Sequence, residues 1–128
     1  MRIRLVSVLV RDQQHALRFY TEVLGFVKKI EIPMGEHAWL TVVPREEPDG
    51  PEVVLEPMGF PPARTYQQAL FEAGIPLTAF QVNSVDETYR VLVGKGVAFS
   101  MPPTVMGTAK LAVFDDTCGN NIQVFEVL

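Results

Sequence analysis

Cysteine is almost absent from this chain. Cys118 stands alone, so no internal disulfide can form, and a single thiol fits a reducing compartment, the cytoplasm. A basic surplus is also missing: 11 Lys and Arg face 15 Asp and Glu, for a net charge of −4. Nothing therefore steers the protein toward phosphate backbones or anionic lipid, and neither a nucleic-acid nor a membrane partner is expected. No apolar run approaches the roughly 20 residues of a membrane span. The first apolar stretch, Leu5 to Val10, is short and ends in Arg11-Asp12, which does not read as a secretory leader. What is present is a chain of 128 residues, 48% hydrophobic and 20% charged, which is the size of one domain and can bury a real core.

The most informative pattern is an internal repeat. LVSVLVRDQQHALRFYTEVLGF, from Leu5 to Phe26, returns in altered form as LTAFQVNSVDETYRVLVGKGVA, from Leu77 to Ala98. Each copy reads as an apolar strand, a polar turn with a helix N-cap, an amphipathic helix, a glycine and a further strand, offset by roughly 71 to 72 residues. In the first copy Ile3 to Val10 is strand-like, Asp12 is the cap, and Ala16, Leu17, Phe19, Tyr20, Val23 and Leu24 follow helical spacing up to Gly25. Phe26 to Ile32 follows as a strand stopped by Pro33, then His37 to Val43 and Glu52 to Pro57.

Between the copies, Ala63 to Ala73 predicts a linker helix packing through Tyr66, Ala69, Leu70 and Ala73. The second copy starts with strand Leu77 to Val82. Ser84 caps its helix, and Glu87 stands where a capping-box acid belongs. A short strand, Val97 to Ser100, then leads into a loop, MPPTVMG. Strands Ala109 to Phe114 and Asn121 to Val127 flank the turn DDTCGN. The expected fold is α+β: two βαβββ modules, residues 1–58 and 76–128, joined by a linker helix at 59–75, with mixed and largely antiparallel sheets in a single domain.

The stretches VSVLVRDQQHALRFYTEVLGF, EVVLEP, LTAFQV and DDTCGNNIQVFEV together resemble the vicinal oxygen chelate superfamily, and the likeness covers nearly the whole chain outside the linker. That superfamily includes glyoxalase I, extradiol dioxygenases, fosfomycin-resistance enzymes and bleomycin-binding proteins. The resemblance implies an open, cleft-bearing barrel built from two paired modules, in a protein that commonly dimerises. It also implies four metal-ligand positions. They fall here on Leu5, Glu52, Leu77 and Gln123, with Glu52 or its neighbour Val53 taking the fourth-strand position. Leucine has no lone pair, and tight transition-metal binding needs three or more nitrogen, sulfur or carboxylate ligands. No cofactor is therefore expected, beyond a weakly held divalent ion.

Strand alternation fills out the candidate site. If the valine face of the first strand packs on a helix, Leu5 and Ser7 face the cleft, together with Glu52 and Glu56, Leu77 and Gln81, and Gln123 and Phe125. His37 and Trp39 share the opposite face of their strand from Ala38, Leu40 and Val42, and are candidates to contact a ligand. His15 falls on the polar face of its helix. Cys118, with Asp115 and Asp116 beside it, reads as structural.

The implied function is binding of a small organic molecule in the barrel cleft, by a face of mainly apolar character, in a homodimer. The alternative is a lyase, isomerase or dioxygenase in which Glu52 is the catalytic residue, with an unconventional metal or none.

Overall fold

The computed structural model describes all of residues 1–128. The elements run β1 (Leu5–Leu9), α1 (Gln13–Arg18), β2 (Val27–Met34), β3 (His37–Val43), β4 (Glu52–Glu56), α2 (Pro61–Glu72), β5 (Thr78–Gln81), α3 (Val85–Gly94), β6 (Phe99–Met106), β7 (Ala109–Asp115) and β8 (Asn121–Val127). The strands form two four-stranded sheets, β1-β4-β3-β2 and β5-β8-β7-β6. In each, the outer strand before the helix pairs in parallel (β1 with β4, β5 with β8) and the remaining contacts are antiparallel. The α+β class and the βαβββ order both match the sequence reading. The chain divides into two compact units, Met1–Arg64 and Thr65–Leu128.

In the first unit, Asp12 starts α1 by accepting a hydrogen bond from the His15 N–H at 3.0 Å. That bond holds the Asp12 carboxyl below its ordinary range. The helix continues as a π-turn, Phe19–Val23, in which the Leu24 N–H reaches back five residues to the Phe19 carbonyl. The second copy has no such turn, so the repeat offset shrinks after the first helix. Val8, Val10, Ala16, Tyr20, Leu40, Val42 and Leu55 are buried on the helix side of the sheet. The ladder pairs Val8 with Leu55 and Ser7 with Val54. Alternation then puts Leu5, Ser7, Leu9, Glu52, Val54 and Glu56 on the face turned away from the helix, as the valine pattern predicts.

Proline lies inside strands at two places where the sequence predicts a stop or a loop. Pro33 lies inside β2, and β6 runs through Pro102 and Pro103 to Met106, where a loop was expected. Both strands are sheet edges, so a missing outward N–H costs no ladder bond. Register shifts between Met101 and Thr104 absorb the second pair.

Two helix details also differ. At the start of α3 the Glu87 N–H donates to Ser84 Oγ (3.1 Å), but the Glu87 carboxylate turns to the Arg90 guanidinium, 3.1 Å from Nε, rather than closing a capping box. This contact lowers the Glu87 pKa and raises that of Arg90. A second N-terminal donor, Val85 N–H, is met by Glu126 at 3.0 Å. In α2 the predicted apolar face is not the buried one: Tyr66 is 57% exposed, while Gln67 is 2% exposed. The anchor of this helix is polar.

Candidate functional site

Parallel pairing sets Leu5 opposite Glu52, Ser7 opposite Val54, and Leu9 opposite Glu56. Antiparallel pairing sets Thr41 opposite Val54. Through alternation, His37, Trp39, Thr41 and Val43 join the same face, with Met34, Ile32, Ile30 and Val27 beyond them as ladder partners. Two carboxylates on this face are held by hydroxyls. Thr41 Oγ1, fully buried, donates to Glu52 Oε1 at 2.7 Å, and Ser7 Oγ donates to Glu56 Oε1 at 3.2 Å. The centre of the face is filled by Thr41, Val43 and Val54, all buried. Its margins are open: Leu5 is 48% exposed, Ile32 54% and Met34 62%. The first unit thus brings Leu5, Ser7, Glu52 and Glu56 together on adjacent strands and sets His37 and Trp39 on the same sheet face.

In the second unit the Leu77 N–H donates to the Asn121 carbonyl, and the ladder pairs Ala79 with Gln123 and Gln81 with Phe125. Leu77, Gln81, Gln123 and Phe125 therefore share one face, as expected. The register nevertheless changes how the copies correspond. Glu52 lies opposite Leu5, and it is Asn121 that stands at that level opposite Leu77; Gln123 has Val54 as its counterpart. Glu52 and Gln123 are thus not counterparts, because the segment before β4, residues 44–51, is longer than the turn before β8, residues 116–120. Val53 pairs with Val6 and is buried on the helix side, so alternation keeps it off the face.

The DDTCGN turn is a closed hydrogen-bonded unit. Asp116 Oδ1 accepts from the N–H groups of Cys118 (2.8 Å) and Asn120 (3.0 Å), and Asp116 Oδ2 accepts from Asn120 Nδ2 at 2.8 Å. Gln67 Nε2 of α2 donates to Asn120 Oδ1 (3.0 Å) and to the Cys118 carbonyl (3.2 Å). All four residues are buried. Thr117 takes φ 60° and Gly119 φ 102°, left-handed conformations that a tight turn requires and that glycine adopts without cost. The network fixes the start of β8, two residues before Gln123. Nothing in the apolar periodicity marked Gln67; the turn motif itself was visible, but as a likeness rather than as a clamp.

Gln13 plays a similar part in the first unit. Its Nε2 donates to the carbonyls of Ala38 and Leu55, both at 2.8 Å, and its Oε1 accepts from the Ala38 N–H at 3.0 Å. Ladder pairing between β3 and β4 is confined to Thr41–Val54 and Val42–Val53, so this amide supplies partners where the strands part. Beside it opens a groove of about 560 Å³, bordered by Arg11, Asp12, Gln14, Glu31, Glu36 and Ala38. Of the candidate ligand-binding residues named from the sequence, His37 alone borders it. Glu31 in this groove is held below its ordinary range by the Lys28 ammonium, 2.9 Å away, and by Gln14.

No group of three or more His, Cys, Asp or Glu side chains is placed so that it could hold a metal ion. At the four positions that the superfamily pattern assigns to metal ligands, Leu5 and Leu77 offer no lone pair, and Glu52 and Gln123 offer oxygen alone. That donor set does not fit a tightly held transition metal. No helix is long and apolar enough to cross a membrane.

Comparison with known proteins agrees with this architecture. The family model described as Glyoxalase/Bleomycin resistance protein/Dioxygenase superfamily matches residues 2–124. An uncharacterised protein of Bacillus subtilis (strain 168), YurT, is 48% identical over 126 residues, covering 98% of this chain and 99% of the relative. The crystal structure of UcmS2 is similar with a TM-score of 0.84 at 32% identity, over 98% of this chain and 97% of that one. TnmS3, described as an antibiotic binding protein from Streptomyces sp. CB03234, gives a TM-score of 0.78 at 27% identity, over 100% and 97%. A duplicated βαβββ fold with an apolar, carboxylate-bearing sheet face is thus the class to which the structure belongs. The chain is a member of the glyoxalase/bleomycin resistance protein/dioxygenase superfamily.

Proposed function

We propose that this protein binds a small organic molecule on the sheet faces turned away from its helices, and that it does so without a resident metal. The observation that carries the reading is the composition of the first unit's face: Leu5, Ile32, Met34 and Trp39 surround a few oriented polar groups. Mostly apolar surface with a small number of fixed polar atoms is what small-molecule sites are made of. The antibiotic-binding description of TnmS3 supports the same reading by likeness. Leu5 and Leu77 remove the Lewis acid that metal-dependent relatives would use to polarise a substrate oxygen.

Trp39 makes the test simple, because it is the one tryptophan in the chain and lies on the face in question. Titration with planar polycyclic compounds is expected to quench its emission saturably, with no chemical change in the compound. The Trp39→Phe variant, which keeps an aromatic ring on the face, is expected to retain weaker binding by calorimetry with the optical signal gone. Emission that stays flat across such a panel, with no heat of binding, would remove the reading.

A second reading, an enzyme using Glu52, draws on the Thr41 hydroxyl that fixes this carboxylate. It predicts turnover that the Glu52→Gln variant abolishes.

The exposed apolar margins also support a homodimer in solution. Leu5, Val27, Ile32 and Met34 lie on one sheet face and would stay wet in a lone chain. Light scattering coupled to gel filtration is expected to give twice the 14.3 kDa chain mass, and a mass of one chain would contradict this.

A further inference from the structure

We infer that the groove beside α1 is a second binding site, separate from the sheet face, and that it takes a short peptide-like zwitterion, a carboxylate and an ammonium group joined by two or three residues of chain. The groove measures about 560 Å³, within the roughly 300–1,000 Å³ of small-molecule pockets. It lies where α1 begins, between the segment that follows β1 and the turn joining β2 to β3. Its framework is fixed. Gln13 is pinned by three hydrogen bonds to Ala38 and Leu55, and Pro33 and Pro57 border the groove with locked rings.

The charged groups around it fall into two sets. Asp12 caps α1 through the His15 N–H, and Glu31 is held by Lys28 and Gln14, so both of these carboxylates are engaged within the chain. The side chains of Arg11, Glu36 and His37 border the same groove and have no hydrogen-bond or ion-pair partner. Arg11 and Glu36 do not pair with each other because they stand on opposite banks. Arg11 follows β1, at one edge of the sheet, and Glu36 leads into β3, two strands away. Two inter-strand spacings come to roughly 10 Å, too far for a direct ion pair and about the length of three extended residues. A simple anion drawn to Arg11 would meet Asp12, Glu31 and Glu36, while a simple cation drawn to Glu36 would leave Arg11 unmatched. A molecule with a carboxylate at one end and an ammonium at the other satisfies both banks. The guanidinium takes the carboxylate in a two-pronged contact, and the His37 imidazole adds a hydrogen-bonding group beside Glu36.

Four probes test this by calorimetry on the full-length protein: trialanine, its N-acetyl form without the ammonium, its C-terminal amide without the carboxylate, and free alanine, which is too short to reach both banks. Trialanine is expected to bind at least about tenfold more tightly than any of the other three, and to weaken as salt is raised to about 0.5 M. Arg11 and Glu36 are both exposed, so their replacement leaves the fold intact. The Arg11→Gln variant should bind trialanine no more tightly than the amide, and the Glu36→Gln variant no more tightly than the N-acetyl form. Equal binding of trialanine and either blocked peptide to the native protein would overturn the assignment, as would native affinity in both variants or no heat from trialanine at millimolar concentration. None of these results touches the sheet-face reading, which planar compounds and Trp39 emission test separately.

Discussion

Asp116→Ala is expected to destabilise the chain by about 3–4 kcal/mol, lowering the melting temperature by roughly 10 °C or more. The side chain is fully buried, and its two oxygens take three hydrogen bonds from Cys118 and Asn120. Removing it strands two backbone N–H groups and an amide where water does not reach, and an unsatisfied buried donor costs more than the bond contributed. Asn120 also accepts from Gln67, so the loss spreads to the seat of α2. Asp116→Asn should be milder. Its remaining oxygen can still accept from both backbone groups, and only the contact with the Asn120 amide is lost. Urea unfolding of both variants checks this; an alanine variant within about 1 kcal/mol of the native protein would show the clamp to be ornamental.

Tyr20→Ala should cost as much, about 3–5 kcal/mol. The ring is wholly buried, meets Phe19 edge-on at 5.9 Å between centroids and lies 6.0 Å from Phe26. Its carbonyl accepts the Phe26 N–H that leads the chain out of the π-turn into β2. The cavity left by the ring cannot close without moving that turn. The edge strand carrying Ile30, Ile32 and Met34 would loosen with it. Denaturant midpoints read the stability. Amide exchange in residues 27–34 is expected to accelerate more than in 121–127, and uniform acceleration would argue against a local role for Tyr20 in holding β2.

Much of the fold could be read from spacing because two periods switch cleanly, from alternation in Leu5–Leu9 to helical spacing in Ala16–Tyr20, and again in the second copy. Asp12 and Ser84 announced their helices by short-range chemistry that is fully encoded in neighbouring residues. The misreadings share one cause, dependence on partners distant in the chain. A proline such as Pro33, Pro102 or Pro103 ends a strand only where a neighbouring strand needs the N–H it lacks, and a single strand does not reveal that it lies at an edge. Glu87 stands at a capping position by local spacing, whereas its pairing with Arg90 and the service of Val85 N–H by Glu126, from another element, depend on the folded chain.

The site divides along the same line. Alternation was enough to gather Leu5, Ser7, Glu52 and Glu56, and the ladder pairs them as neighbours. It could not give the level of one strand against the next. That level is set by loop length, and it makes Val54, not Glu52, the counterpart of Gln123. The residues that sequence reasoning passed over, Gln13, Thr41, Gln67 and Asn120, are polar groups whose worth lies in satisfying buried partners, and no periodicity marks them.

Titration of chelator-stripped protein with a planar polycyclic ligand, followed through Trp39 emission, bears most directly on the whole account. Saturable quenching at the same midpoint before and after stripping is the predicted result. Binding that disappears with the chelator and returns only on adding zinc, nickel or iron would contradict it.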